Sequence, residues 1–228
     1  MLPGPILLQG VPMKASSTRR AGFTLIELLA VIAILGLLMG LAVPLISNAK
    51  ATANQHACQE QLRQLAGNLQ LWADTRNRGN FPKESGPRML LVLLKDGQIS
   101  DKEADSLFRC PGTNDETRSA DDPKTPASGL KDFQSFDKTC ISYAGRDNKT
   151  FAINKNKLGE EVLASDDNDN GDGTGRANHK HLTNIVYADS HVGAIDVKDF
   201  KSELPEDQDW VTVGPDSPSP ELKKMLSE

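Results

Sequence analysis

Between Phe23 and Ile46 the chain is apolar at nearly every position, and Glu27 is the single ionisable side chain of the run. A helix over this run would rise about 36 Å, enough to cross a hydrocarbon core of roughly 30 Å. Lys14, Arg19 and Arg20 precede it, which predicts a cytoplasmic N-terminal side and export of the rest of the chain. Read from the residues alone, a plain signal anchor is the simpler alternative. The run is long for a cleaved signal, and no small-x-small site follows closely. Beyond Pro44 the pattern changes. Ala49, Ala53, Ala57, Cys58, Leu62, Leu65, Leu69 and Trp72 recur at steps of three and four, the mark of an amphipathic helix to about Thr75. Residues 23–75 therefore predict one helix of about 80 Å at ideal rise, with an interruption near Gly40–Pro44.

Arg76-Asn77-Arg78-Gly79-Asn80 supplies turn residues that end this helix. Pro87 is placed to open a short helix through Leu94, and Asp96-Gly97 to close it. Residues 111–139 are polar and read as a loop. Strand patterns lie later, at Cys140–Ala144, Thr183–Ala188 and His191–Val197, the last two forming a hairpin through Asp189-Ser190. The predicted class is α+β, a long N-terminal helix packed on a small antiparallel sheet. The tail 199–228 is acidic and carries four prolines. It reads as flexible, with one edge strand at Trp210–Val213 and one helical turn at Glu221–Leu226.

Composition narrows the function. The chain has 26 basic and 31 acidic residues and a formal charge of -5, and loss of residues 1–22 would remove three cations. No basic surface for nucleic acid is expected. The exported part is polar and poor in aromatic residues, so its core should be modest and extra ties useful. Three cysteines, Cys58, Cys110 and Cys140, allow three single pairings in an oxidising exterior. Cys110–Cys140 is the preferred pair, and Cys58 then reads as a packed thiol on the helix. The sequence places no base partner for a nucleophilic cysteine, and the chain reads as non-enzymatic.

Glu27 is costly inside lipid unless neutralised or paired. Cleavage between Gly22 and Phe23 would create an α-amine four residues before it. In a bundle of identical chains, that amine could pair with Glu27 of a neighbour. Gly22-Phe23-Thr24-Leu25-Ile26-Glu27 resembles the prepilin peptidase site of type IV pilins and type II secretion pseudopilins. The resemblance implies cleavage after Gly22, N-methylation of Phe23, and assembly guided by Glu27. Pro44 stands where that family commonly places a helix-bending proline. Implied partners are the prepilin peptidase, an inner-membrane assembly platform and other pilin-like subunits. The implied location is the inner membrane, single-pass, with a periplasmic head that becomes part of a filament on assembly. The alternative function is an anchored, exported binding module that uses this N-terminus for delivery.

On this basis 1–22 is a leader, 23–46 the membrane and assembly helix, 47–75 the packing helix, 76–198 the head and 199–228 the tail. Residues 1–12 are apolar and contain Pro3, Pro5 and Pro12, so Met13-Lys14 is an alternative start. More narrowly, the head resembles pseudopilin-like proteins abundant in planctomycetes. The segments concerned are Cys58–Leu65, Asn80-Phe81-Pro82, Phe108-Arg109-Cys110-Pro111 and Ser142-Tyr143. A last segment pairs Asn178-His179 with Asp189-Ser190-His191-Val192, a His-x9-Asp spacing. Ser190 stands where that group usually has glycine.

Two clusters invite a metal. Asp166, Asn168, Asn170 and Asp172 crowd oxygen ligands beside glycines, a candidate calcium loop. Ala177 occupies the place of the closing glutamate of an EF-hand, and a solvated acidic turn is the preferred reading. His179, His181 and His191 invite a transition metal. Their preferred role is structural, with His179 and Asp189 bracketing and hydrogen-bonding the turns of the terminal hairpin.

Overall fold

Helix α1 (Leu25–Arg76) begins at a reciprocal capping box. Thr24 Oγ1 accepts from the Glu27 amide at 3.3 Å, and Glu27 Oε2 accepts from the Thr24 amide and hydroxyl at 2.8 Å each. Two of the orphan donors of a helix start are thereby satisfied. This computed structural model describes residues 23–113, 141–167, 178–179 and 181–226. The chain divides into two compact units, Met1–Ile46 and Ser47–Glu228. In the first, α1 is the one described helix long and apolar enough to cross a membrane. Its large side chains lie open: Leu25 is 82%, Leu37 68% and Val43 66% exposed. The helix continues through Gly40–Pro44 without the expected break. Pro44 has no N–H for the carbonyl of Gly40, so this turn forgoes one helical hydrogen bond.

In the second unit the inner face of α1 starts at Cys58. Cys58, Leu62, Leu65 and Leu69 are fully buried, and Trp72 nearly so. Ala49, Ala53 and Ala57 of the expected stripe remain exposed. Helix α2 (Pro87–Lys95) opens with Pro87 at its first turn and buries Met89, Leu90, Leu91 and Leu93. Trp72 Nε1 donates to Asp96 Oδ2 at 2.8 Å and ties α1 to the end of α2. Helix α3 (Asp101–Leu107) starts at a second capping box, Ser100 with Glu103. Each leucine fully removed from water here contributes about 1.5–3 kcal/mol.

The sheet has five antiparallel strands: β1 (Tyr143–Arg146), β2 (Val162–Asp166), β3 (Leu182–Tyr187), β4 (Val192–Asp196) and β5 (Met225–Leu226). Their order is β4-β3-β2-β1-β5. Alternate residues face two cores. Tyr143, Leu163 and Val186 join α1, α2 and α3 in one core. Ala144, Val162 and Ile185 face the other, closed by Val197, Val211, Leu222 and Met225. The described residues after 199 thus fold against the sheet, correcting the expectation of a flexible tail. Its edge strand is Met225–Leu226, paired with β1, and not Trp210–Val213. The expected hairpin is β3–β4, with Val186 opposite Val192. Strand β2, second neighbour of both edges, had no counterpart in the sequence reading.

Gly145 lets the chain close up at the rim of the sheet. A Cβ there would stand 2.0 Å from the Gly86 carbonyl oxygen, and the Gly86 amide donates to the Arg146 carbonyl at 3.0 Å.

Candidate functional site

Four side chains of types able to hold a metal, from four parts of the second unit, meet in its core: Cys58 of α1, Cys110 after α3, Asp166 at the end of β2, and His179 before β3. Their donor atoms all lie within 4.8 Å of one another, and all four residues are buried. The helical pattern of α1 turns Cys58 inward with Leu62 and Leu65. Cys110 opens a turn, where its carbonyl accepts from the Thr113 amide at 3.1 Å and the Thr113 hydroxyl at 2.8 Å. Within that turn the Gly112 amide donates to Cys110 Sγ at 3.3 Å.

Cys58 and Cys110 are joined as a disulfide with a Cα–Cα separation of 5.3 Å. This corrects the expected Cys110–Cys140 pair and the reading of Cys58 as a lone packed thiol. The reason is register: the inward face of α1 carries Cys58 to within bonding reach of the turn after α3, inside the usual range for a disulfide. Cys140 lies outside the described residues. A cross-link spanning 52 residues stabilises by about 4 kcal/mol in chain-entropy terms.

His179 presents Nε2 to this centre, 3.2 Å from Cys110 Sγ and 3.8 Å from Asp166 Oδ2. Burial holds its imidazole down, to a pKa of about 4, so the ring is neutral near pH 7. Room for the ring depends on Gly112, where a Cβ would stand 2.5 Å from His179 Cε1. Asp166 is fully buried. Its Oδ2 accepts from the Asn184 amide and side chain at 2.8 Å each, whereas Oδ1 has no hydrogen-bond partner. Burial pushes its carboxyl up to about 7, against the two bonds from Asn184. A buried carboxylate oxygen without a donor costs on the order of 1–3 kcal/mol.

Around the four, Tyr143 Oη lies 3.2 Å from Cys58 Sγ and donates to Gln61 Oε1 at 2.6 Å. Burial, then the nearby Asp166 and Asp167, raise the phenol well above its ordinary value, so it stays protonated. Asn178 Nδ2 donates to the Ser142 carbonyl at 2.8 Å and fixes the approach to His179. Segments singled out separately in the sequence, around Cys58, Cys110, Ser142-Tyr143 and Asn178-His179, therefore converge here. Sequence reasoning missed that convergence because no segment carries more than one of the four residues.

The other expected sites are dispersed. Asn168, Asn170 and Asp172 of the candidate calcium loop lie outside the described residues, and Asp166 faces the sulfur and imidazole donors. His179 and Asp189 stand beyond opposite ends of β3. Asp189 Oδ1 accepts from the His191 amide at 3.1 Å and meets His191 Nδ1 at 2.5 Å. The His191 ring stacks on Tyr187 at 4.0 Å. His181 is half-exposed and lies 3.9 Å from Asp209. The three histidines thus face three different partners.

At the other end of the chain, Gly22 lies outside the described residues and Phe23 is 78% exposed. Glu27 is held by Thr24, as described above. The Thr-x-x-Glu spacing that makes this capping box is legible in the sequence, beside the assembly role expected of Glu27. Residues 17–43 match the family model described as the prokaryotic N-terminal methylation motif. Neither a curated protein nor a solved structure matches the chain. What stands on these observations is a pilin-like α+β chain, with a methylation-motif N-terminus and one helix suited to a membrane.

Proposed function

We propose that the chain is a structural subunit of a type II secretion pseudopilus or related type IV pilus-like filament. It is stored in the inner membrane through residues 23–46, with the head in the periplasm. The observation that carries this reading is the methylation motif over residues 17–43, placed at the start of a helix whose apolar side chains lie open. Such a surface needs lipid or other copies of the same helix to cover it.

In this reading a prepilin peptidase cuts after Gly22, and an assembly platform draws the processed chain into the filament. The free α-amine of Phe23 then takes Glu27 of a neighbour as partner. The capping box adds a step to this. Before assembly Glu27 is occupied by Thr24, which lowers the cost of keeping its carboxylate near lipid. On assembly the amine adds a cation that Thr24 cannot supply.

Two variants separate the cap from the charge. Glu27→Gln retains the box, because glutamine serves equally at this position, but removes the charge. Glu27→Ala removes both. Both proteins should accumulate in the membrane and fail to enter sheared filaments, with incorporation reduced more than about tenfold, the loss of a contact worth ~1.4 kcal/mol or more. Normal incorporation of Glu27→Gln would overturn the charge pairing. Normal incorporation of both would overturn any assembly role for Glu27, and absence of the wild-type chain from sheared filaments would favour the anchored, exported binding module instead.

A further inference from the structure

We infer that Cys58, Cys110, Asp166 and His179 form a four-coordinate site for a zinc-class divalent metal when the two cysteines are reduced. A tetrahedral zinc with two sulfur, one nitrogen and one oxygen ligand places its donors about 3.3–3.8 Å apart. The donors here already lie within 4.8 Å of one another, so side-chain rotation of the two cysteines is the main adjustment required.

Four features favour a metal over a fortuitous cluster. Asp166 Oδ1 is an acceptor without a donor inside the core. His179 turns Nε2, not a carbon edge, toward the sulfurs and the carboxylate. The Gly112 amide, donating to Cys110 Sγ, would stabilise a thiolate at that atom. Finally, Asn184 fixes the Asp166 carboxylate through Oδ2, an outer contact of the kind that orients metal ligands. Two sulfurs and an imidazole select a zinc-class ion, whereas calcium takes an all-oxygen shell. The ion would lie wholly inside the core, closed by four protein ligands, and so serve to stabilise the head.

Loading of the reduced chain is ligand exchange. Two S–H bonds break, two metal–sulfur bonds form, and two protons leave to solvent; no electrons move. Thiol–disulfide exchange with an external disulfide, which leaves as two thiols, forms the S–S bond of the same pair and removes both sulfur ligands. Disulfide and metal are therefore alternative ties at one place in the fold.

The test uses the full chain in detergent, reduced with a phosphine and titrated with cobalt(II). One equivalent should produce thiolate-to-cobalt charge transfer in the near ultraviolet and the strong visible bands of tetrahedral cobalt. Zinc should bleach both. Cys140→Ser should leave the spectrum intact, and Cys110→Ser should abolish the charge-transfer band. Asp166→Asn keeps the shape of the side chain and should weaken cobalt binding more than about tenfold. Its far-ultraviolet dichroism before metal addition reports whether it has folded. If Cys110→Ser does not fold, a folded Asp166→Asn still decides. A reduced wild-type chain that gives no thiolate–cobalt band would overturn the inference. So would unchanged cobalt affinity in Asp166→Asn or His179→Gln, or loss of the band in Cys140→Ser.

Discussion

Ser190 sits in the β3–β4 turn with a φ of 70°, in the left-handed region where a Cβ is crowded. The turn requires that geometry: the Ser190 amide donates to the Tyr187 carbonyl at 2.9 Å, and the Tyr187 amide to the His191 carbonyl at 2.9 Å. Asp189 and His191 close the turn through their side chains. Serine also leaves its own Oγ buried without a partner. Ser190→Gly should therefore stabilise the chain, by about 0.5–1 kcal/mol after the larger unfolded-state entropy of glycine is subtracted. Thermal unfolding of the two proteins in the same detergent measures this. A lower midpoint for the glycine variant would show that the serine contributes something the turn geometry does not account for.

Among the elements, β1 and β2 are tied by a cation. Arg146 is buried, and its Nη1 donates to the Val162 carbonyl at 2.8 Å, its Nε to the Phe151 carbonyl at 2.8 Å, and its Nη2 to Glu161 Oε2 at 2.5 Å. Arg146→Met keeps the length of the side chain but strands two carbonyls and leaves the largely buried Glu161 carboxylate with the more distant Lys224 Nζ at 3.9 Å. The loss should be about 3–5 kcal/mol, as expected when one partner of a buried pair is removed. A denaturant midpoint with an unchanged slope reads it, and a loss under about 1 kcal/mol would contradict the role given to this residue. The same strands show where sequence reading ran out. Helix α1 and the β3–β4 hairpin were legible because their apolar positions repeat at helical or alternating spacing and turn residues separate them. Val162-Leu163-Ala164-Ser165 is buried on both faces, so it shows no alternation, and flanking acids make it look like a surface turn. Val211, Leu222 and Met225 lie in a polar, proline-containing tail without a sustained apolar period, and their burial becomes evident only once the second face of the sheet exists. The Cys58–Cys110 centre was hidden for a related reason. Its four residues come from four segments, and only the register of α1 against β1–β3 brings them together.

At the scale of the molecule, the two units have opposite solutions to the same physical problem. The unit from Ser47 onward buries its apolar residues in its own two cores, with a disulfide and a buried arginine pair as cross-links. The unit up to Ile46 keeps its large apolar side chains open, and in the proposed function lipid or neighbouring copies would cover them. A capping box holds Glu27 at the helix start, and in the proposed assembly it would do so until a partner amine arrives. The central claim is that this N-terminus is processed for assembly, and the mass of the N-terminal peptide of the membrane-isolated protein tests it most directly. In cells with an active prepilin peptidase, the mature chain should begin at Phe23 and carry one added methyl group. A chain that still begins at Met1 or Met13, or that has been cut within or after the apolar run, would contradict the account.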